Sequence, residues 1–155
     1  MSDKIETRLK ELGLDLPPVP KPLGAYVPAV RTGNLVYISG QGATLDGKLL
    51  YEGYVGAELT QEQGYECAKM CGLNALSILK GEIGSLDNVK RIVKVLGFVK
   101  SSAGFDRQPL VINGFSELMV AVFGDAGKHA RSAVSCNELP FGTPVEVEMI
   151  VEVKA

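Results

Sequence analysis

The 155-residue chain has few of the side chains that build metal sites: one histidine, His129, and three cysteines, Cys67, Cys71 and Cys136. With a single histidine in the chain, a Cys/His zinc set is short of histidine ligands, and we expect no metal. An odd number of cysteines does not form a disulfide framework and fits a reducing compartment. We therefore expect buried, reduced thiols. No nucleophile adjoins His129 in the sequence, so no serine–histidine–aspartate set is predicted.

Long apolar runs and an excess of positive charge are also missing. No stretch of 18 apolar residues occurs, which excludes a membrane span by hydropathy, and the charged start MSDKIETRLKELG has no signal-peptide core. We expect a cytoplasmic protein with no membrane partner. The net charge of −2 gives no basic footprint for nucleic acid. The basic segment KRIVK at 90–94 is as typical of a strand with one solvent-exposed face as of a nucleic-acid contact.

What remains is the composition of an ordinary globular domain. The apolar fraction is 46% and the charged fraction 22%, in a length that suits one domain. The 18 glycines form neither a phosphate loop nor a dinucleotide-binding pattern. Residues 1–22 are predicted to be an N-terminal extension, with a short helix over 5–12 and a proline-rich lead-in over 14–24. Residues 23–155 are then a single domain.

The first half of that domain predicts hairpins and a helix. Strands over 26–30 and 34–40 are separated by a turn at 31–33, and the Asp46-Gly47 dipeptide predicts a hairpin with arms 41–45 and 48–51. Thr60 with Gln63 three residues later is a capping box, which begins a helix that Gly84 ends. Cys67 and Cys71 lie on one face of this helix.

The second half predicts alternating strands and one more helix. Residues 89–100 alternate as a long strand, and Pro109 suits the first turn of a second helix, although Asn113-Gly114 favours a turn within it. Strands follow over 130–136 and 145–153. The element order predicts an α+β sandwich with both helices on one face of a sheet. Apolar residues on the last strand suggest that another subunit covers the opposite face.

Two charged residues on these last strands suggest a binding or catalytic site. The fork of donors on a lone arginine, Arg131, suits both oxygens of a carboxylate, and a carboxylate such as Glu146 can hold a water or move a proton. Together they suggest a site that binds and hydrolyses a small acid. The alternative is a solvated surface, since Glu146 shares a strand face with Glu148 and Glu152.

In its motifs the chain resembles the RidA/YjgF family of enamine/imine deaminases. The segments that carry the resemblance are LGAYVPAV (23–30), GNLVYISGQ (33–41), the helix through 74–79, VKVLGFVK (93–100), VINGF (111–115), ARS (130–132), and LP followed by VEVE (139–148). The resemblance implies a chorismate-mutase-like fold, a mixed sheet with two helices on one face, and a homotrimeric barrel with clefts between subunits.

The resemblance also implies an activity: hydrolysis of 2-aminoacrylate-type enamines and imines to 2-keto acids and ammonia, without metal or organic cofactor. By the same resemblance Arg131 pairs with the substrate carboxylate and Glu146 positions the attacking water. Further residues implied to line the cleft are Tyr26, Ser39, Gly40, Asn113 and, through its backbone, Ala133. Two other functions stay open: a non-catalytic keto-acid binding or sensing protein, and a ribonuclease or translation inhibitor.

Around the arginine, the chain departs from the pattern Pro-Ala-Arg-Ser-Cys that is common in the family. It has His129-Ala130-Arg131-Ser132-Ala133, so any role of the cysteine thiol is absent. His129 then has two interpretations. It lies either at the rim of the cleft, where it contacts a larger or different acid, or in a solvated loop.

Overall fold

Two long helices and a five-stranded sheet form about half of the chain in the computed structural model, which describes residues 3–155. The helices and strands, in chain order, are α1 Lys4–Glu11, β1 Ala29–Thr32, β2 Leu35–Gly42, β3 Thr44–Leu45, β4 Lys48–Leu49, α2 Gln61–Ile83, β5 Val89–Lys100, α3 Gln108–Phe123, β6 Ala130–Cys136 and β7 Val145–Val153. The bounds of β5, β6 and β7 are those predicted from the sequence.

The main sheet is mixed. Its strand order is β1-β2-β7-β5-β6, and every neighbouring pair is antiparallel except β5 and β6, which run parallel and are joined through α3. β3 and β4 form a separate small hairpin around Asp46-Gly47, as predicted. The sheet is not closed, so β1 and β6 are its edge strands within residues 3–155.

α2 begins at the predicted capping box. The Thr60 hydroxyl accepts from the Gln63 N–H at 3.1 Å, and the Gln63 side-chain oxygen accepts from the Thr60 N–H at 2.9 Å. Gly84 ends the helix with a φ of 80°, a conformation that glycine adopts without steric cost. Cys67 and Cys71 are buried and free on this helix, and burial raises the pKa of Cys67 to about 12. The prediction of buried thiols is confirmed for Cys67 and Cys71, whereas Cys136 on β6 is only half-buried.

α3 passes through Asn113 and Gly114, so the turn that this dipeptide favours does not form. A β-carbon at Gly114 would lie 2.0 Å from the Tyr65 carbonyl oxygen on α2, so the close approach of the two helices requires glycine here. The segment Gln108–Gly127 is long and apolar enough to span a membrane by composition. Its Val111, Ile112 and Phe115 are fully buried, which accounts for the apolar composition as that of a core helix.

The core lies between the helices and one face of the sheet, which confirms the α+β sandwich. On β7, Val145, Val147, Met149 and Val151 are buried towards the helices, and the residues between them face the other way. On that open face Val30, Tyr37 and Ile150 stand side by side across β1, β2 and β7. Val30 and Tyr37 are 52% and 44% exposed, so the open face carries an uncovered apolar row.

The first hairpin differs from its prediction. β1 begins at Ala29 and includes Arg31 and Thr32, so the predicted strand over 26–30 is displaced and Tyr26 lies outside it. The turn occurs at Gly33, whose φ of 57° is left-handed. β2 extends through Gly42, with an irregularity between Ile38 and Gln41, so the predicted hairpin arm over 41–45 is wrong in its first half.

The N-terminal segment packs on the rest of the chain. Asp3 caps α1, Leu9 is buried with the main core, and the Ser77 hydroxyl of α2 donates to the Pro17 carbonyl. The stretch 14–24 contains no helix or strand, as its prolines predicted. The division into an extension over 1–22 and a domain over 23–155 stays a prediction.

Candidate functional site

Arg131 lies on the edge strand β6, and its side chain extends along the N-terminal half of α3. Nη1 donates to the Asn113 side-chain oxygen at 2.8 Å and to the Ser116 hydroxyl oxygen at 3.1 Å, and Nη2 donates to the Pro109 carbonyl at 3.3 Å. Asn113 and Ser116 are three residues apart, so both lie on one face of the helix. The guanidinium therefore makes three hydrogen bonds to α3.

These bonds leave one edge of the guanidinium free. Of its five N–H donors, the helix takes both on Nη1 and one on Nη2. Among residues 3–155 no acceptor bonds Nε, so the Nε–H and one of the two Nη2–H groups remain, and Nε and Nη2 share one edge of the guanidinium. Two parallel donors of this kind match the two oxygens of a carboxylate. Burial lowers the pKa of Arg131, but an arginine stays protonated in a protein.

His129 is tied to the same cluster. Its Nδ1 lies 2.7 Å from the Gly127 carbonyl oxygen and its Nε2 lies 2.8 Å from the Ser116 hydroxyl. A backbone carbonyl only accepts, so Nδ1 carries the proton of the neutral ring and Nε2 accepts from Ser116. Burial, and then the charge of Arg131, lowers the pKa of His129, against the bond to Gly127 that raises it.

The solvated-loop interpretation of His129 is therefore wrong. It is half-buried with both ring nitrogens bonded, so it is not a solvated loop residue. A hydroxyl does lie beside it, although it comes from Ser116, thirteen residues earlier in the chain. Sequence reasoning did not identify Ser116. The signal available was its i+3 spacing from Asn113 on a predicted helix.

Glu146 lies on the open face of the sheet, in a cavity of about 610 Å³. Gly40 passes close to it: a β-carbon there would be 3.0 Å from the carboxyl carbon and Oε1 of Glu146. A larger residue at this position would push against the carboxylate. Burial, and then the charge of Glu148, raises the pKa of Glu146. This carboxylate is thus a better proton acceptor than a solvated one.

The segment before β1 forms one wall of this cavity. Tyr26 lines it and is 53% exposed. Ser39 holds the segment in place, because its hydroxyl donates to the Val27 carbonyl at 2.8 Å and its N–H donates to the Pro28 carbonyl at 2.9 Å. Ser39 is thus a support of the wall in this chain. Cavity residues that sequence reasoning did not identify are Pro20, Lys21, Leu23, Gln41, Phe98 and Phe141.

The two groups of residues lie on opposite faces of one sheet. Arg131 pairs with Val95 of β5, and Glu146 pairs with Phe98 of the same strand. Positions three apart on a strand face opposite ways. Ala133, two residues after Arg131, packs against the core on the helix side. One copy of the chain therefore joins Arg131 to Asn113, and Glu146 to Tyr26 and Gly40, and keeps these two half-sites apart.

Comparison with known proteins agrees with this fold. A family model described as "YjgF/chorismate_mutase-like, putative endoribonuclease" matches residues 6–153. The Trypanosoma cruzi protein TCP17 is 41% identical over 97% of this chain and 95% of its own, and a 2-iminobutanoate/2-iminopropanoate deaminase of Dermatophagoides farinae is 28% identical over 91% and 95%.

A solved structure is equally similar. A protein of unknown function from Agrobacterium tumefaciens is 42% identical, with a TM-score of 0.91 over 98% of this chain and 94% of its own. The similarity in each case spans nearly the whole chain, so both half-sites fall inside the matched region. The chorismate-mutase-like fold expected from the motifs is confirmed, and the chain belongs to the RidA/YjgF family.

Proposed function

We propose that this protein hydrolyses 2-imino and 2-enamine acids to 2-keto acids and ammonia, in a cleft between two copies of the chain. The observation that carries the proposal is the free donor edge of Arg131, three of whose N–H groups are already bonded to α3. A preformed pair of donors of this kind suits a small carboxylate. The similarity to a named iminobutanoate/iminopropanoate deaminase supports this substrate class.

The site requires a second copy because Arg131 and Glu146 face opposite ways in one chain. β6 is an edge strand, and the open face carries the apolar row of Val30, Tyr37 and Ile150. Apolar surface of this kind is typical of an interface between subunits. We infer a homotrimer, from the family resemblance, in which Arg131 of one copy meets Glu146 of the next. The free thiols suit the cytoplasm.

In the proposed reaction the substrate carboxylate binds the Nε/Nη2 edge of Arg131. An imine that carries a proton on nitrogen has an electrophilic carbon, so no nucleophilic side chain is needed. Water adds to that carbon while Glu146 takes one of its protons, and the C=N electrons move onto nitrogen. This step forms a C–O bond and leaves a carbinolamine.

Glu146 then returns its proton to the amine of the carbinolamine. The C–N bond breaks and its electrons leave with ammonia, while the hydroxyl proton passes to bulk water as the C=O bond forms. For an enamine, a preceding proton transfer to C3 gives the same iminium. The raised pKa of Glu146 suits both directions of transfer, because the group holds a proton more readily than an exposed carboxylate does.

The test is keto-acid release from a pyridoxal-phosphate dehydratase that produces 2-aminoacrylate, with and without the purified protein. We expect acceleration by the wild type and its loss in Arg131→Ala, because removing one partner of a buried charge pair costs about 2–5 kcal/mol. Val134→Ala, an exposed position on the same strand, is the matched control. Full activity in Arg131→Ala would overturn the proposal.

A second candidate is carboxylate binding without turnover. The Arg131 half-site is complete within one chain and does not depend on Glu146, so it can bind an acid by itself. Calorimetry that detects tight keto-acid binding, together with no acceleration of keto-acid release, would favour this candidate. The ribonuclease function is less compatible with a cavity that holds Glu146 and Glu148, which repel phosphate.

A further inference from the structure

We propose that Ser116 and His129 are positioning residues for Arg131, and that protonation of His129 tightens carboxylate binding at the Arg131 edge. The inference rests on the proposed function for its substrate class. It starts from a chain of three side chains: His129 Nε2 lies 2.8 Å from the Ser116 hydroxyl, and Ser116 Oγ accepts from Arg131 Nη1 at 3.1 Å.

The direction of each bond follows from its partners. Gly127 offers only a carbonyl, so His129 holds its proton on Nδ1 and presents a bare Nε2 to Ser116. The Ser116 hydroxyl gives its single hydrogen to that nitrogen, which leaves its lone pairs for Arg131. The Ser116 hydroxyl, which could otherwise rotate, is thereby fixed as an acceptor for Arg131 Nη1. Together with Asn113 it occupies both hydrogens of Nη1, so the guanidinium presents its Nε/Nη2 edge to the ligand.

Protonation of His129 changes this arrangement. The new Nε2–H donates to Ser116 Oγ, so the Ser116 hydroxyl hydrogen loses its acceptor and becomes free to bond elsewhere. A second positive charge now stands beside Arg131 at the anion site. A carboxylate is attracted more strongly to two charges than to one. Linkage requires the reverse as well: a bound carboxylate offsets the charge of Arg131 and raises the pKa of His129.

Other charges around His129 leave Arg131 as its principal charged neighbour. Lys128 and Asp125, in the turn before it, form an exposed ion pair with each other at 2.8 Å. On β5, Lys94 pairs with Ala130, the residue after His129. On α3, Glu117 follows Ser116 and bonds the Tyr65 hydroxyl. Within residues 3–155 no carboxylate bonds the imidazole, so its protonation adds net charge to the site.

His129 is the only histidine of the chain, which makes a direct measurement possible. Nitrogen NMR of the imidazole, titrated with and without 2-oxobutanoate, gives both its tautomer and its pKa. We expect the Nδ1–H tautomer at high pH and a rise in the pKa of His129 when the acid binds. An Nε2–H tautomer, or an unchanged pKa at saturation with the acid, would overturn the inference. No detectable 2-oxobutanoate binding would overturn it as well.

Kinetics with variants supply the second test. In Ser116→Ala the KM for the imine should rise about tenfold, the equivalent of 1.4 kcal/mol, with kcat little changed, and Ser116→Thr should restore it. In wild type, KM should fall as the pH drops through the pKa of His129, and His129→Gln should flatten that profile. Equal KM profiles in wild type and His129→Gln would contradict the inference.

The two proposals can fail separately. A protein that binds 2-oxobutanoate with a raised His129 pKa, but does not accelerate keto-acid release, loses the proposed hydrolysis and keeps the positioning of Arg131. A protein that accelerates release with no shift in the pKa of His129 keeps the hydrolysis and loses the positioning.

Discussion

Arg131 and Glu146 lie on opposite faces of the same sheet, with only β5 between their strands. Arg131 is held against α3 on the covered face, and Glu146 opens into the cavity on the uncovered one. A reaction that uses both residues on one small molecule therefore needs two copies of the chain. The proposed hydrolysis therefore depends on the proposed assembly.

Glu146→Gln should stabilise the protein at neutral pH while it lowers kcat. Burial and Glu148 raise the folded-state pKa of Glu146, so the charged carboxylate opposes folding. Glu146 contributes favourably to the free energy of unfolding below its unfolded-state pKa, where it is protonated. This contribution is lost as the pH rises through its folded-state pKa. Thermal unfolding should show a higher Tm for Glu146→Gln at pH 7 and almost no difference at pH 4.

The same variant should lose about 100-fold or more in kcat with little change in KM, as expected when a general base is removed. A Tm that is lower at pH 7 would contradict the raised pKa of Glu146, and a kcat equal to that of wild type would contradict its role as general base.

Gly40→Ala should displace the Glu146 carboxylate without unfolding the chain. The added β-carbon would lie 3.0 Å from Oε1 and the carboxyl carbon, and a flexible side chain can move away from it. Because small displacements of a reacting group lower rates strongly, we expect kcat to fall about tenfold or more. The control is the double variant with Glu146→Gln. Its kcat should match that of Glu146→Gln alone, and a further additive loss would mean that Gly40 acts through another residue.

Gly114→Ala should destabilise the fold, because its β-carbon would lie 2.0 Å from the Tyr65 carbonyl oxygen, where the backbone cannot move away. Overpacking of this kind costs about 1–3 kcal/mol or more. Gly81→Ala, on an exposed part of α2 with open space around it, is the matched control. It should stabilise the chain by about 0.5–1 kcal/mol, since alanine favours a helix. Urea unfolding measures both, and equal stabilities would contradict the packing described for Gly114.

Local patterns predicted much of the fold because their causes are local. The Thr60 capping box, the alternation of residues 89–100 and the glycines after the helices each act within a few residues, and β5 has the predicted bounds. The turn expected at Asn113-Gly114 does not form because a tertiary contact, between α2 and α3, overrides local preference. No pattern within one helix reports that contact.

The sequence predicted which residues belong to the candidate site, but only some of the contacts between them. The motifs identify Arg131, Asn113 and Glu146, and the roles assigned to them stay predictions. The bond from Ser116 to His129 joins positions thirteen residues apart on different elements, and it depends on how α3 packs beside β6. The walls that residues 20–23 and Phe141 add to the Glu146 cavity arise in the same way, from the path of segments without regular pattern.

Subunit complementation tests the central claim most directly. Arg131→Ala and Glu146→Gln are each prepared alone, and a third preparation is made by co-expressing the two variants. Mass spectrometry verifies that the third preparation contains mixed oligomers. If each cleft takes Arg131 from one copy and Glu146 from the next, an equal random mixture contains about a quarter intact clefts. We predict that the mixture regains roughly this fraction of wild-type keto-acid release, although each variant alone is inactive. Verified mixed oligomers with no more activity than the separate variants would contradict the shared site.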